Sequence, residues 1–146
     1  MTAEFAGEIV TWKYPPPHDT YSLTGSDPGS FLDETNCYFA LVDHGDLVGY
    51  RCFGAEGRVP GLTYDDAALD TGGGLRPDLT GRGLGRAAIT VGLQFGRERF
   101  APPAFRVTVA AFNERALRVV RSLGFGDVAT FPAANGRPFV VLVRPE

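Results

Sequence analysis

A glycine-rich turn between a predicted strand and a predicted helix has the clearest capacity for chemistry. Thr80 to Arg86 reads TGRGLGR, with glycine at every second position. The first amides of a helix have no acceptor within it, and the helix is partly positive at that end, so it attracts phosphate. Glycine lets the backbone approach such a ligand closely. The turn is predicted to bind phosphate, with Arg82 and Arg86 as candidate contacts; alternatively, the glycines only permit a tight turn.

The spacing around this turn excludes two common phosphate sites and resembles a third. It contains neither the Gly-Lys-Ser/Thr of a Walker loop nor the G-x-G-x-x-G of a Rossmann fingerprint. Leu75 to Gly85 instead resembles a strand ending in V-x-P followed by Q/R-x-x-G-x-G/A at the start of a helix. Downstream, the pattern N-x-x-A-x-x-x-Y-x-x-x-G-F is matched at four positions: Asn113, Ala116, Gly124 and Phe125.

Together, the two blocks resemble the GNAT superfamily of acyl-CoA-dependent N-acyltransferases, from about Asn36 to the C-terminus. The chain departs from the family pattern at Thr80, where Gln or Arg is usual, and at Val120, where Tyr is usual. The resemblance implies acetyl-CoA as co-substrate and a bound primary amine that attacks the thioester directly, in a ternary complex. A strand amide near Leu75 would polarise the thioester carbonyl.

The resemblance also assigns cofactor contacts by position. Backbone amides of the turn would hold the pyrophosphate of CoA, and these belong to Gly81, Arg82, Gly83, Leu84, Gly85 and Arg86. The main chain of Leu75 and Arg76 would pair with the pantetheine arm as a strand would. Asn113 would hydrogen-bond the cofactor, and Ala116 and Val120 would line its path. The strands before and after the first helix would splay apart to admit the arm.

The catalytic base is a separate prediction, made from the carboxylates of the strand before the turn. Acyl transfer needs a neutral amine, so a base or a water relay must take its proton. We expect Asp70 to be that base, and expect Asp65 and Asp66 to be solvated carboxylates. Because these groups are acidic, a cationic amine is the expected acceptor. A peptide amine and a small-molecule amine are both open.

Other residues with functional capacity have simpler explanations. His18 and His44 are expected to be solvated. The aromatic side chains of Trp12, Tyr14 and Tyr21 either wall an acceptor pocket or belong to the core. A non-catalytic domain that binds acyl-CoA as a sensor is the alternative function, and a site for another nucleotide is a third.

Chain length predicts a single domain spanning residues 1–146. The chain has 44% hydrophobic and 21% charged residues and a net charge of −3, which disfavours nucleic-acid binding. No apolar run approaches the ~20 residues of a membrane span, and acidic residues near Met1 argue against a secretory signal. Cys37 and Cys52 are too few for a disulfide scaffold or a zinc site. We expect a cytoplasmic protein that holds no metal, and a homodimer is left open.

The elements that must position the site follow from periodicity and turn signals. Strands are predicted over Ile9–Tyr14, Asn36–Asp43, Asp46–Phe53, Tyr64–Leu75, Phe105–Ala111, Asp127–Phe131 and Pro138–Val143, and residues 18–35 as loop with one short helix. Helices are predicted over about Gly81–Arg99 and from the N-cap Asn113 to a Schellman ending at Gly124-Phe125.

The fold class is therefore mixed α/β (α+β). A mostly antiparallel sheet of six to seven strands would contain the splayed parallel pair, with helices on both faces. A two-residue turn at His44-Gly45 places three apolar pairs on one face of the first hairpin, toward the core, namely Cys37–Cys52, Phe39–Tyr50 and Leu41–Val48.

Overall fold

The computed structural model describes the whole chain, Met1 to Glu146, and is built around one six-stranded sheet. Its strands are β1 (Tyr38–Asp43), β2 (Asp46–Phe53), β3 (Leu69–Leu75), β4 (Ala104–Ala110), β5 (Gly126–Pro132) and β6 (Pro138–Pro145). Their order across the sheet is β1-β2-β3-β4-β6-β5. Every neighbouring pair is antiparallel except β3 and β4, which are parallel. This confirms the predicted fold class.

Four helices cover the two faces of the sheet: α1 (Ala3–Ile9), α2 (Pro28–Leu32), α3 (Gly85–Phe100) and α4 (Glu114–Ser122). The larger core lies where α3 and α4 pack on the sheet, around Leu93, Phe105 and Leu142. The smaller core belongs to α1 and α2 on the opposite face and contains Ile9 and Trp12. No helix is both long enough and apolar enough to cross a membrane.

The predicted N-terminal strand over Ile9–Tyr14 is wrong, because helix α1 ends at Ile9 and no strand precedes β1. Thr2 caps α1 by accepting a hydrogen bond from the Phe5 amide. Ala6 and Ile9 lie one helical turn apart and are fully buried. The alternation seen from Ile9 to Tyr14 therefore marks a short extended connection, and its tryptophan is buried in the smaller core. Beyond it, the predicted loop contains α2 and short 3₁₀ turns.

The first hairpin forms as predicted, but its register holds only near the turn. Asp43 faces Asp46 and Val42 faces Leu47, after which the register shifts, so that Leu41 faces Gly49. Val48 is the extra residue of this β-bulge. Because one residue of slip reverses the sides, Phe39 packs against Phe95 of α3 whereas Tyr50 packs near Trp12 on the other face.

The bulge also separates the two cysteines that were predicted to face each other. Cys52 is opposite Tyr38, and the carbonyl of Cys37 accepts a hydrogen bond from the Phe53 amide. Both cysteines are free thiols. Burial raises the pKa of Cys52 to about 11, which keeps this thiol protonated at neutral pH.

The helix that follows the glycine turn begins at Gly85, four residues later than predicted, because Gly81 and Gly83 adopt positive φ. The strand before it begins at Leu69 rather than Tyr64.

The second helix has the predicted ends. The Asn113 side chain accepts from the Ala116 amide. At the other end, the amides of Phe125 and Gly124 donate to the carbonyls of Val120 and Arg121, as in a Schellman motif. The last two predicted strands are present and form a second hairpin, β5 and β6.

Candidate active site

The central feature of the sheet is the point where its parallel strands part. β3 and β4 are paired only at Leu69–Phe105 and Asp70–Arg106, although both strands continue beyond these pairs. The gap between them opens into a cleft of about 630 Å³, lined by the end of β3, by β4, by the glycine turn and by the first turns of α3 and α4. A chain of ligand atoms can enter the sheet here, where a strand would otherwise lie.

The direction of the β3 amides decides which residues serve such a ligand. Asp70 and Arg76 face β2, since the Gly54 amide donates to the Asp70 carbonyl and the Arg76 amide donates to the Val48 carbonyl. Strand alternation then turns the amides of Gly73 and Leu75 toward the gap. The carbonyl of Leu75 accepts from the Tyr14 hydroxyl at 2.6 Å.

The main chain of Arg76, which was expected to pair with the pantetheine arm, is engaged within the protein. Its amide is held by Val48 and its carbonyl accepts from the Leu79 amide, both within hydrogen-bond distance. Its side chain pairs with Asp78 and with the Leu47 carbonyl. Gly73, which sequence reasoning missed, replaces it as the second main-chain group facing the gap.

The glycine turn has the features of an anion site. The backbone amides from Gly81 through Ala87 have no acceptor within the protein, and no side chain caps α3. A Cβ on Gly83 or Gly85 would meet no atom within 4 Å, so the space beside the turn is open. Free amides, a helix N-terminus and open space suit a pyrophosphate, so the residues present fit CoA.

The arginines around the turn differ in what they contact. Arg82 is exposed and lies outside the cleft lining, whereas Arg86 lines it and donates to the Ser122 hydroxyl. Arg115 also lines the cleft, and a Cβ on Gly81 would lie only 2.7 Å from its Nη1. Sequence reasoning missed Arg115; its place in the first turn of the helix after Asn113 was the available signal.

The helix α4 supplies one wall of the cleft through residues named from the sequence. Ala116 and Val120 line it, and Val120 is also part of the larger core. The Asn113 amide group is already engaged: Oδ1 accepts from the Ala116 amide, and Nδ2 donates to the Tyr21 hydroxyl at 3.2 Å. Asn113 therefore brings a phenol hydroxyl into the cleft wall.

Asp70 lies in a charged cluster outside the cleft lining. It is 1% exposed, and its two oxygens each accept from Arg106 at 2.7 Å. Arg58 donates to the same carboxylate at 2.9 Å, and Arg106 also reaches Asp65 at 2.8 Å. These hydrogen bonds to Asp70 raise the pKa of Arg106, and the bond from Arg106 lowers the pKa of Asp65. Both oxygens of the Asp70 carboxylate are thus occupied by guanidinium donors, and neither lines the cleft.

No carboxylate lines the cleft. Its titratable lining consists of arginines, tyrosines and His18. His18 stacks on Tyr21 and lies 3.3 Å from Arg115, whereas His44 is exposed in the hairpin turn beside Asp43. Burial raises the pKa of Tyr14 to about 12, so its hydroxyl keeps its proton. Asp66 is exposed.

Comparison with solved structures places this fold among known proteins. The chain is similar to an acetyltransferase of the GNAT family from Bacillus anthracis, with 16% identity over 99% of this chain and 91% of that one, at a TM-score of 0.73. It is also similar to a spermidine N-acetyltransferase SpeG chimera from Vibrio cholerae and hSSAT, with 16% identity over 99% and 92% and a TM-score of 0.76.

A third similar structure is AAC(6')-Ib in complex with ribostamycin and coenzyme A, with 17% identity over 100% of this chain and 90% of that one and a TM-score of 0.77. No curated protein sequence matches the chain significantly. The sequence model of the Acetyltransferase (GNAT) family matches residues 4–125. The chain belongs to the GNAT acetyltransferase family.

Proposed function

We propose that this protein moves an acetyl group from acetyl-CoA to a primary amine by direct attack in a ternary complex. The observation that carries the proposal is the continuity of the cleft, which runs from the free amides of the glycine turn to the gap between β3 and β4. Phosphates bind at one end and an extended arm pairs with β3. Two free thiols, Cys37 and Cys52, are in keeping with a cytoplasmic setting.

The main chain of β3 supplies the electrophilic part of the mechanism. In the reaction, a carbon–nitrogen bond forms and the carbon–sulfur bond of the thioester breaks. Negative charge develops on the carbonyl oxygen, and an amide directed into the gap stabilises it. The amides of Gly73 and Leu75 have this direction.

Proton transfer falls to hydroxyl groups and water, because no carboxylate lines the cleft. The Tyr21 hydroxyl accepts from Asn113, and its own proton has no acceptor within the protein. It is therefore free to protonate the departing thiolate, which the side chain of Val120 cannot do. Water takes the proton of the amine, unless the amine binds already neutral.

The charged side chains that line the cleft determine whether a cationic acceptor amine is expected. The carboxylates that suggested a cationic amine, Asp65 and Asp70, are paired with Arg106 rather than facing the cleft. The charged groups that do line the cleft are arginines. We therefore propose a primary amine, as a small molecule or a peptide, without the preference for a cationic one. Similar structures include a spermidine N-acetyltransferase and an aminoglycoside acetyltransferase.

Catalysis is tested by release of free CoA thiol from acetyl-CoA in the presence of a panel of amines. Tyr21→Phe should lower kcat by about 10²-fold, the low end for a general acid, because a thiolate leaves readily. Tyr38→Phe is the control and should change kcat little, since the Tyr38 hydroxyl contacts Glu56 outside the cleft lining. Val120→Ala should also change kcat little, because valine has no proton to give. Binding of acetyl-CoA without turnover on any amine would favour the non-catalytic sensor instead.

Cofactor binding should depend on the open space at the glycine turn. Gly83→Val places a side chain there and should weaken CoA binding by at least about 2 kcal/mol in calorimetry. Gly136→Val is the matched control, since the φ angles of these glycines are +78° and +79° and both have open surroundings. Equal CoA affinity in a folded Gly83→Val protein would remove the cofactor assignment.

The ion pair of Asp70 should matter for folding rather than for proton transfer. Asp70→Asn leaves Arg106 without its buried partner and should lower the free energy of unfolding in urea by about 3–5 kcal/mol. Asp127→Asn, which breaks a half-exposed pair with Arg121, should cost far less. A stable Asp70→Asn protein whose kcat falls and no longer rises with pH would restore Asp70 as the base.

A further inference from the structure

A buried guanidinium group without a carboxylate partner lies in the lining of the cleft. Arg51 is 7% exposed and makes one hydrogen bond, from Nη2 to the Thr71 hydroxyl at 3.0 Å. Its Nε is fully buried and has no acceptor at all. No acidic side chain forms a salt bridge with it, in contrast to Arg106, and burial lowers its pKa.

The chain makes room for this side chain on two sides. A Cβ on Gly73 would lie 2.9 Å from Nη1 of Arg51, and a Cβ on Gly92 would lie 2.9 Å from its Nε. Gly73 belongs to β3 and Gly92 to α3, so the arginine occupies a slot between strand and helix. Thr71 donates its own proton to the Cys52 carbonyl, which fixes its oxygen as the acceptor for Arg51.

The slot opens on the part of the cleft where acyl transfer is proposed. Arg51, Gly73 and Val107 all line the cleft, and Arg51 faces Gly73 across the β2–β3 pair. Arg51 is also on the sheet face covered by α3, since its neighbour there is Gly92. The helix that begins at the glycine turn covers this same face. Tyr50 and Trp12 lie on the opposite face, which leaves that side for the acceptor.

The buried and unpaired guanidinium group of Arg51 is expected to bind an anion. Burying a cation without a counter-charge is costly, and a planar guanidinium with unused N–H donors is well matched to a carboxylate. This inference rests on the CoA site and the acyl transfer of the proposed function and changes only the acyl group. We propose that Arg51 binds the terminal carboxylate of the donor's acyl chain, so that the CoA thioester of a dicarboxylic acid, such as succinyl-CoA, is preferred to acetyl-CoA.

The transfer itself is unchanged by this assignment. The amine nitrogen bonds to the thioester carbon, the carbon–sulfur bond breaks, and the proton lost by the amine balances the one gained by the CoA thiolate. The terminal carboxylate takes no part in bond changes and remains ionised. It serves as the group by which the acyl chain is recognised.

The first measurement compares CoA, acetyl-CoA and succinyl-CoA by calorimetry on the full-length protein. The succinyl thioester should bind at least about tenfold more tightly than the acetyl thioester, the scale of a hydrogen-bonded charge pair. Equal affinity of the two thioesters would overturn the inference while leaving the proposed function intact. Failure of all three to bind would instead remove the proposed function.

The second measurement uses variants and the ratio of kcat/KM for the two donors with one amine. Arg51→Met should bring the ratio of kcat/KM for succinyl-CoA to that for acetyl-CoA down to about one, and Arg51→Lys should retain part of the preference. Arg118→Met, at an exposed arginine of α4, should leave the ratio unchanged. A purely structural Arg51 would lower stability without changing the ratio.

The same variants distinguish a carboxylate on the donor from one on the acceptor. Glycine and a simple alkylamine are compared as acceptors, each with acetyl-CoA. If Arg51→Met reduces transfer to glycine alone and leaves the donor ratio unchanged, the carboxylate belongs to the acceptor and the donor assignment is overturned. Should Arg51→Met not fold, Arg51→Lys and the thioester affinities of the unmodified protein still decide the matter.

Discussion

The buried ion pair between Asp70 and Arg106 is the interaction on which the rest of the site depends. It joins β3 to β4 at the last position where the two strands are paired. Beyond it, the strands separate and their inward main-chain groups face a cleft rather than each other. Because buried backbone groups without partners are unfavourable, a sheet opened in this way favours a ligand that supplies the missing hydrogen bonds.

Two buried arginines of the sheet, Arg51 and Arg106, differ in whether their charge is balanced by a carboxylate. Arg106 is surrounded by carboxylates and by the Tyr64 ring, so its charge is balanced within the protein. Arg51 has only a hydroxyl, and glycines leave it space rather than partners. The first arrangement holds the strands together. The second leaves guanidinium N–H donors without an acceptor in the cleft lining.

Local signals in the sequence predicted most of the fold. The Asn113 cap, the Gly124 ending and the two hairpins depend on residues near each other in the chain, and the structure has each of them. Helix α1 was missed because its seven residues are too few to show a clear helical period. The bulge at Val48 could not be read from a turn, since it is set by packing on both faces.

The site was predictable where a motif fixes the backbone and unpredictable where distant segments meet. The glycine turn lies where the resemblance placed it. The partners of Asp70 come from Arg58 and Arg106, and nothing local links these to the strand. No sequence pattern singled out Arg51. Its guanidinium group is unpaired because its neighbours in β3 and α3 are Gly73 and Gly92, which have no side chain to accept a hydrogen bond.

The central claim is that CoA binds along the glycine turn and beside the open edge of β3. Hydrogen–deuterium exchange measured with and without CoA tests it directly, since the amides of 81–87 have no acceptor in the protein. Peptides covering Gly73–Leu75 and Gly81–Ala87 should exchange more slowly when CoA is bound. Unchanged exchange in both peptides at a saturating CoA concentration would contradict the account.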